Sequence, residues 1–326
     1  MKCINRQGAA AAALFMTAAL MTACGSTPEM SFQDNYAYSN FNFLIGESGS
    51  AEVADAFASE ICVIDGDDIS AELPSIADTT SAALFDLNNC EVLYAKDIFA
   101  QVYPASLTKI MTALVALENA SLDTVLTAST NVYMTDASAQ SAGLSAGDTM
   151  TLDQALHLLL IHSDNDVAIM IAEGIGGSTD SFIAMMNEEA ARLGATNTNF
   201  INSNGLTDEN HYTSLYDMYL VFNEAMQFQS FQEIIAMSQY STVYHDGDGN
   251  EIEISVTSTN SYNTDYIDAP SGVTVIGGKT GTTTAAGHNL ILYVRDSSGN
   301  PYIAIVMKAL DSDSCYAAMN ELLGLI

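Results

Sequence analysis

The chain has 326 residues, 48% of them hydrophobic, which is enough to bury the core of one large domain or two modest ones. Basic residues number 8 against 40 acidic ones, a formal net charge of −32 that argues against nucleic acid or an anionic membrane surface as a partner. The acids are spread along the chain rather than blocked, the pattern of a solvated surface.

The first 24 residues hold no acid, begin with Lys2 and Arg6, and continue through the apolar run AAAALFMTAALMTA to Cys24, the layout of an export signal rather than part of a fold. Its end, Leu20-Met21-Thr22-Ala23-Cys24, resembles a bacterial lipobox, which would make Cys24 a lipidated first residue and anchor the chain outside the cytoplasm. Met21 stands where such motifs prefer Leu, Val or Ile, so ordinary cleavage near Ala23 is the alternative. Cys62, Cys90 and Cys315 follow without metal-like spacing, and buried thiols are the expectation. With Lys2 and Arg6 removed, the cations left are Lys96, Lys109, Arg192, Lys279, Arg295 and Lys308. Their scarcity makes each position informative.

From residue 25 to 77 the sequence is polar and acidic without a sustained period, and reads as a tether carrying at most one short strand. A folded domain is expected from residue 78 to 326. SAALFDL and EVLYAKD read as strands about the turn-prone Asn88-Asn89. A helix is expected over Ser106 to Glu118, with Leu107, Ile110, Met111, Leu114 and Val115 at helical spacing. TLDQALHLLLIH predicts a second helix opened by a Thr151/Gln154 capping box and ending near Ser163. Asn165 to Glu173, closed by glycines, and SFIAMMNEEAARLG, with Arg192 in its last turn and Gly194 as C-cap, predict two more. Residues 214 to 240 read as mainly helical. STVYH and EIEISV flank DGDGN, and VTVIGGKTG, HNLILYVRD and PYIAIVMKAL follow as strands before a helix from Ser314. Strands first, helices inserted, then strands and a helix predict an α+β fold: an antiparallel sheet flanked by helices, with a helical subdomain grown from it.

Ser106 and Lys109 stand three residues apart on a predicted helix, one face and about 5 to 6 Å apart at Cβ. A serine hydroxyl is a poor nucleophile until a base removes its proton, and a neutral lysine amine one turn away can do so. The tetrapeptide alone is a weak signal. It is followed, however, by Ser163-Asp164-Asn165 at a helix end and by Lys279-Thr280-Gly281 on a strand with glycines around it. This ordered trio marks penicillin-binding proteins and class A β-lactamases.

YPASLTKIMTALVALE, HSDNDVAIMIAEGIGG, LGATNTNFINSNGLTDENHYTSLYDM and GGKTGTTTAAGHNL together resemble the low-molecular-mass D-alanyl-D-alanine carboxypeptidases, serine peptidases that are also penicillin-binding proteins. The resemblance runs from about Ser81 to the C-terminus. It implies a β-lactamase/transpeptidase-like fold, no cofactor, and a substrate that is a peptidoglycan stem peptide ending in D-Ala-D-Ala, with β-lactams as inhibitors. By the same resemblance Ser106 attacks the penultimate D-alanine carbonyl and Lys109 accepts its proton. Ser163 relays a proton to the leaving group, and Asn165 orients Lys109 and the substrate amide. Lys279, Thr280, Gly281 and Thr282 bind substrate, with the oxyanion held by the Ser106 and Thr282 amides. Lys109 must be neutral to act as a base, and Lys279 is the candidate cation that helps keep it so. Where some relatives have an arginine near the last strand, this chain reads MKALDSDSCYAAM, which shifts carboxylate binding to Lys279 and Thr280 or to Lys308.

Three alternatives stay open: a β-lactamase, a D,D-endopeptidase on the same site, and a non-catalytic wall-binding lipoprotein. Against the first, the only Leu-Asn pair is Leu87-Asn88, before the nucleophile. DGDGN reads as a hairpin turn rather than a calcium loop, because its sixth position is Glu251. No metal is expected: the histidines are scattered, with His157 and His162 read as structural or surface groups. Asp164 is expected to cap the helix that follows it.

Overall fold

The computed structural model describes residues 61–64, 68–69, 73, 75–77, 80–134 and 139–326. The export signal, Cys24 and most of the expected tether lie outside these. In chain order the elements are β1 (Ser81–Asp86), β2 (Glu91–Lys96), α1 (Thr108–Asn119), β3 (Val125–Thr127), β4 (Thr149–Thr151), α2 (Leu152–His157), α3 (Asn165–Gly176) and α4 (Thr179–Leu193). They continue with α5 (Leu215–Ala225), α6 (Gln229–Ile235), β5 (Gln239–His245), β6 (Glu251–Thr257), β7 (Thr274–Thr283), β8 (Gly287–Arg295), β9 (Pro301–Ala309) and α7 (Ser312–Leu323).

Every residue of β1 is buried, although a strand shows alternate side chains to opposite faces, so this strand lies in a sheet covered on both sides. The sheet is antiparallel with order β2-β1-β9-β8-β7. On one face Ala83, Phe85, Ile291, Ile303 and Ile305 join the core of the helical subdomain. There the Phe85 ring stacks on Tyr219 of α5 at 4.0 Å between centroids. On the other face Ala82, Leu84, Leu292 and Val306 meet Met319 and Leu322 of α7. The two faces explain why the strand segments read as apolar runs rather than as alternating patterns.

α1 is the hub of the helical half. Its residues Thr108 to Ala116 are all buried, as expected of a helix surrounded by others. The Thr151/Gln154 capping box is present, and Gly177 and Gly194 end α3 and α4 in the left-handed conformation. The DGDGN turn is a hairpin in which Asp246 Oδ1 accepts from the Asp248 and Asn250 amides.

Two differences from the sequence reading have physical reasons. The β5–β6 hairpin does not extend the main sheet; it joins β3 and β4 in a second sheet of order β3-β4-β5-β6. Its strands bury a single residue each, too little apolar surface for a place inside the two-sided sheet, and β3 and β4 are three residues long, too short to show a period. Packing also starts before residue 78. Cys62 is fully buried, its N–H donating to Tyr219 Oη, and Ile69 bridges to Ala95. The last part of the expected tether is therefore folded onto the domain, which begins at least as early as Ile61.

Candidate active site

The segment Ala105–Leu107 forms a 3-10 turn that feeds directly into α1. Ser106 is thus in the tight turn before the helix rather than in the helix itself. Ala105 sits at φ 49°, a left-handed conformation costly for a residue with a Cβ. Gly205 packs beneath it so closely that a Cβ there would lie 1.9 Å from the Ala105 carbonyl oxygen. The turn is held from the sheet side as well: buried Asn289 of β8 donates from Nδ2 to the carbonyls of Tyr103 at 3.0 Å and Pro104 at 3.1 Å.

Lys109 is fully buried, with Nζ 3.0 Å from Ser106 Oγ, 2.8 Å from Asn165 Oδ1 and 2.6 Å from the Asn204 carbonyl oxygen. The last two contacts are acceptors only. A neutral amine has two N–H groups and one lone pair, so with both N–H groups given to Asn165 and Asn204 the lone pair is left for the Ser106 hydroxyl proton. Burial pushes the Lys109 pKa well below its ordinary value, and the Lys279 charge pushes it the same way; Asp164 and Asp166 oppose. The expected influence of Lys279 is present, but desolvation comes first.

The second motif stands where the α2 helix widens into a π turn over Leu158–His162, ending at Ser163 with φ 72°. The extra residue of a π turn redirects the backbone, and the strained Ser163 carries its hydroxyl to 2.9 Å from Lys279 Nζ. Asn165 starts α3, and its amide and Nδ2 both donate to the Gln140 carbonyl. Asp164 does not cap α3: its carboxylate is buried and bonded to His162 Nδ1 at 2.7 Å, because the π turn brings that imidazole alongside. The anchoring work falls to Asp166, whose carboxylate accepts from the amides of Ala142, Gly143 and Leu144 and from Ser141 Oγ.

The third motif lies on β7, the edge strand of the main sheet. Lys279 is buried and also donates to the Thr280 carbonyl; burial lowers its pKa to about 7, with Asp164 opposing. Gly281 faces the Ser106 turn, and a Cβ there would lie 3.0 Å from the Ser106 amide nitrogen and 3.1 Å from that of Leu107. A side chain there would push β7 and the Ser106 turn apart by a few tenths of an ångström. Thr280 Oγ1 pairs with Thr259 Oγ1 at 2.6 Å, and Thr282 Oγ1 with His288 Nδ1 at 3.3 Å.

Ser106, Ser163, Asn165, Thr280, Gly281 and Thr282 all line one cavity of about 950 Å³ between the helical half and the sheet, closed further by Asn204, His288 and the start of α7. In a chain with 40 acidic residues, none of the described residues lining it is Asp or Glu. The two lysines close it from behind. Lys308, a candidate carboxylate ligand, is exposed at φ 62° and does not line the cavity. Asn204 and Gln140 had no signal in the sequence, since both contribute backbone carbonyls. His211 is a further support: buried, its pKa lowered to about 4 by desolvation, it accepts at Nδ1 from the Ile201 amide and so donates from Nε2 to Thr108 Oγ1. Away from the cavity, Glu118, Glu189 and Glu224 lie close enough to share a cation, and Arg192 reaches all three.

A family profile described as D-alanyl-D-alanine carboxypeptidase, peptidase S11, matches residues 68–311. Among curated proteins, the D-alanyl-D-alanine carboxypeptidase DacF of Bacillus subtilis is 38% identical over 155 residues, covering 46% of this chain and 39% of that protein. DacB2 of Mycobacterium tuberculosis is 32% identical over 203 residues, covering 62% and 65%. The chain thus spans less than two thirds of the length of these relatives. Among solved structures, the Streptomyces K15 DD-transpeptidase superposes with a TM-score of 0.70 at 27% identity, over 78% of this chain and 98% of that one.

Proposed function

Since the chain belongs to the D-alanyl-D-alanine carboxypeptidase family of serine-type peptidases, we propose that it removes the terminal D-alanine from peptidoglycan stem peptides through an acyl-enzyme on Ser106. The observation that carries this reading is the wiring of Lys109: buried, held by two acceptors, and left with one free direction that points at Ser106 Oγ. The Ser106 oxygen attacks the penultimate carbonyl carbon as its proton passes to Lys109 Nζ. The tetrahedral oxyanion rests on the Ser106 and Thr282 amides, with Gly281 letting β7 lie close against the Ser106 turn. Collapse breaks the C–N bond, and the leaving D-alanine nitrogen takes its proton through Ser163, whose hydroxyl is bonded to Lys279. Water then attacks the ester with Lys109 again as base, and Ser106 leaves with its proton restored.

Penicillins would acylate the same serine. No carboxylate among the described lining residues is placed to activate a deacylating water, which favours a long-lived adduct over the rapid turnover of a β-lactamase. Mass spectrometry after incubation with penicillin should show one added drug mass, absent in Ser106→Ala, and the parent should release D-alanine from an acylated D-Ala-D-Ala peptide. Rapid penicillin hydrolysis, or an adduct persisting in Ser106→Ala, would overturn the assignment.

Export and lipidation at Cys24 are part of the same proposal, placing the enzyme at the outer face of the cell membrane beside its cell-wall substrate. No single helix among the described residues is long and apolar enough to cross a membrane. Cys24→Ala should move the protein from the membrane to the soluble fraction; unchanged membrane association would refute the lipid anchor.

A further inference from the structure

A peptide ending in D-Ala-D-Ala carries a free α-carboxylate, and the cavity must offer that anion a partner. Neither lysine is well placed to do so from the wall. Lys109 and Lys279 are 0% and 1% exposed, and both are held by the site's own acceptors. Lys308 lies outside the cavity. Among the described residues that line it, the one group able to carry a positive charge is His288.

His288 is placed by the sheet. It is the register partner of Thr282 across the β7–β8 ladder and of Ala309 across β8–β9, next to an irregularity between His288 and Leu290. Paired residues on neighbouring strands share a face, so the imidazole stands beside the Thr282 hydroxyl, with Nδ1 3.3 Å from Oγ1. When Thr282 donates to Nδ1, the ring carries its proton on Nε2, which has no partner among the described residues. Thr280, two residues along β7, presents its hydroxyl on the same side. A substrate lying along this edge meets two hydroxyls and an imidazole N–H.

The other groups facing His288 strengthen this assignment. Asp311 precedes α7, and its carboxylate is already occupied as the N-cap, accepting from the Ser314 amide at 2.8 Å. It leaves the positive end of that helix used. Cys315, with its thiol pushed up to about 12 by burial, and Tyr316, whose Oη accepts from the Ser261 amide, add no cation.

We infer that His288 is a specificity-determining residue that binds the free α-carboxylate of the substrate's terminal D-alanine, with Thr280 and Thr282 beside it. This rests on the carboxypeptidase reading above and names the group that makes the site select a chain end. Charge-assisted hydrogen bonds to a carboxylate are stronger than neutral ones, so the effect should be large for the acid and small for its neutral analogue.

The test compares two acylated peptides, one ending in D-Ala-D-Ala and one in the same sequence as its carboxamide, by release of D-alanine or D-alaninamide. In His288→Ala the ratio of kcat/KM for acid over amide should fall about tenfold, mostly through KM. In His288→Gln, which keeps an N–H donor but not the ring that aims it, it should fall about threefold. Penicillin labelling of Ser106 in each preparation reports that the site is folded. If the parent releases D-alanine and His288→Ala keeps the parent's acid-to-amide ratio, this inference fails while the carboxypeptidase reading stands. A parent that releases no D-alanine overturns both.

Discussion

On the helical wall of the cavity, Lys109 sits among nine consecutive buried residues of α1, and each direction around its nitrogen has a partner. On the sheet wall, Lys279 is equally buried, but the groups beside it, Thr280, Thr282 and His288, line open space on an edge strand. The first wall is built to do one thing to one proton. The second is built to be completed by a ligand, and substitutions on the two walls should therefore fail differently.

The largest effect is expected on the helical wall. Lys109→Met keeps the volume and the apolar stem but removes the proposed base, and general-base loss costs about 10²–10⁴ in rate. Acylation of Ser106 by penicillin should slow by about 10³-fold or more, with the fold intact by circular dichroism. A variant that acylates within tenfold of the parent would mean that another group takes the Ser106 proton.

Lys279→Ala should come next. Lys279 lowers the Lys109 pKa through its charge and holds Ser163, so its removal should reach the chemistry rather than substrate binding alone. Acylation by the acid and by the carboxamide peptide should both drop, by roughly 100-fold, the cost of one misplaced relay and a partly protonated base. A loss confined to the acid peptide would reduce Lys279 to a carboxylate ligand. The contrast with His288, where the acid alone is expected to suffer, is the sharpest division between tuning and recognition in this site.

The side chains proposed to do the chemistry were legible in sequence on both walls. Ser106, Lys109, Ser163, Asn165 and Lys279 act through side chains at motif spacing, so their types and order announced them. The helices α1, α3 and α4 were visible because apolar period and glycine caps agree. Asn204 and Gln140 were invisible because a backbone carbonyl leaves no trace in residue type. Asp164 misled because its usual role before a helix assumes regular backbone, and the π turn at Leu158–His162 instead gives it an imidazole. The packing of Cys62 onto Tyr219 was hidden in a polar segment without period.

A subtler effect should appear in pH dependence. Lys279, its pKa lowered to about 7 by burial, is charged below that value and neutral above it, and the proposed chemistry needs it charged while Lys109 is neutral. In the free enzyme kcat/KM should therefore fall as pH rises through about 7. Lys279→Arg keeps a cation that does not titrate in this range, so the variant should be slower at pH 6 yet lose its alkaline limb. An alkaline limb at the same position in both proteins would assign it to a different group.

The smallest effect separates holding the nucleophile from being it. Asn289 links the sheet to the turn before Ser106 by two donations to Tyr103 and Pro104, while its Oδ1 accepts from the Lys308 amide at 2.8 Å. Asn289→Ala removes both donations, leaving the Pro104 carbonyl with the Leu107 amide alone, which costs about 1–3 kcal/mol of stability and loosens the turn. Penicillin acylation should slow about tenfold and Tm should fall. Asn289→Asp is nearly isosteric and keeps the acceptor for Lys308, but it sets a buried carboxylate against two carbonyl oxygens. It should be worse than alanine in both measurements, because repulsion replaces a mere absence. If Asn289→Asp matches the parent in both, the two donations do not hold the turn, and the strain at Ala105 must be borne by Gly205 and α1 alone.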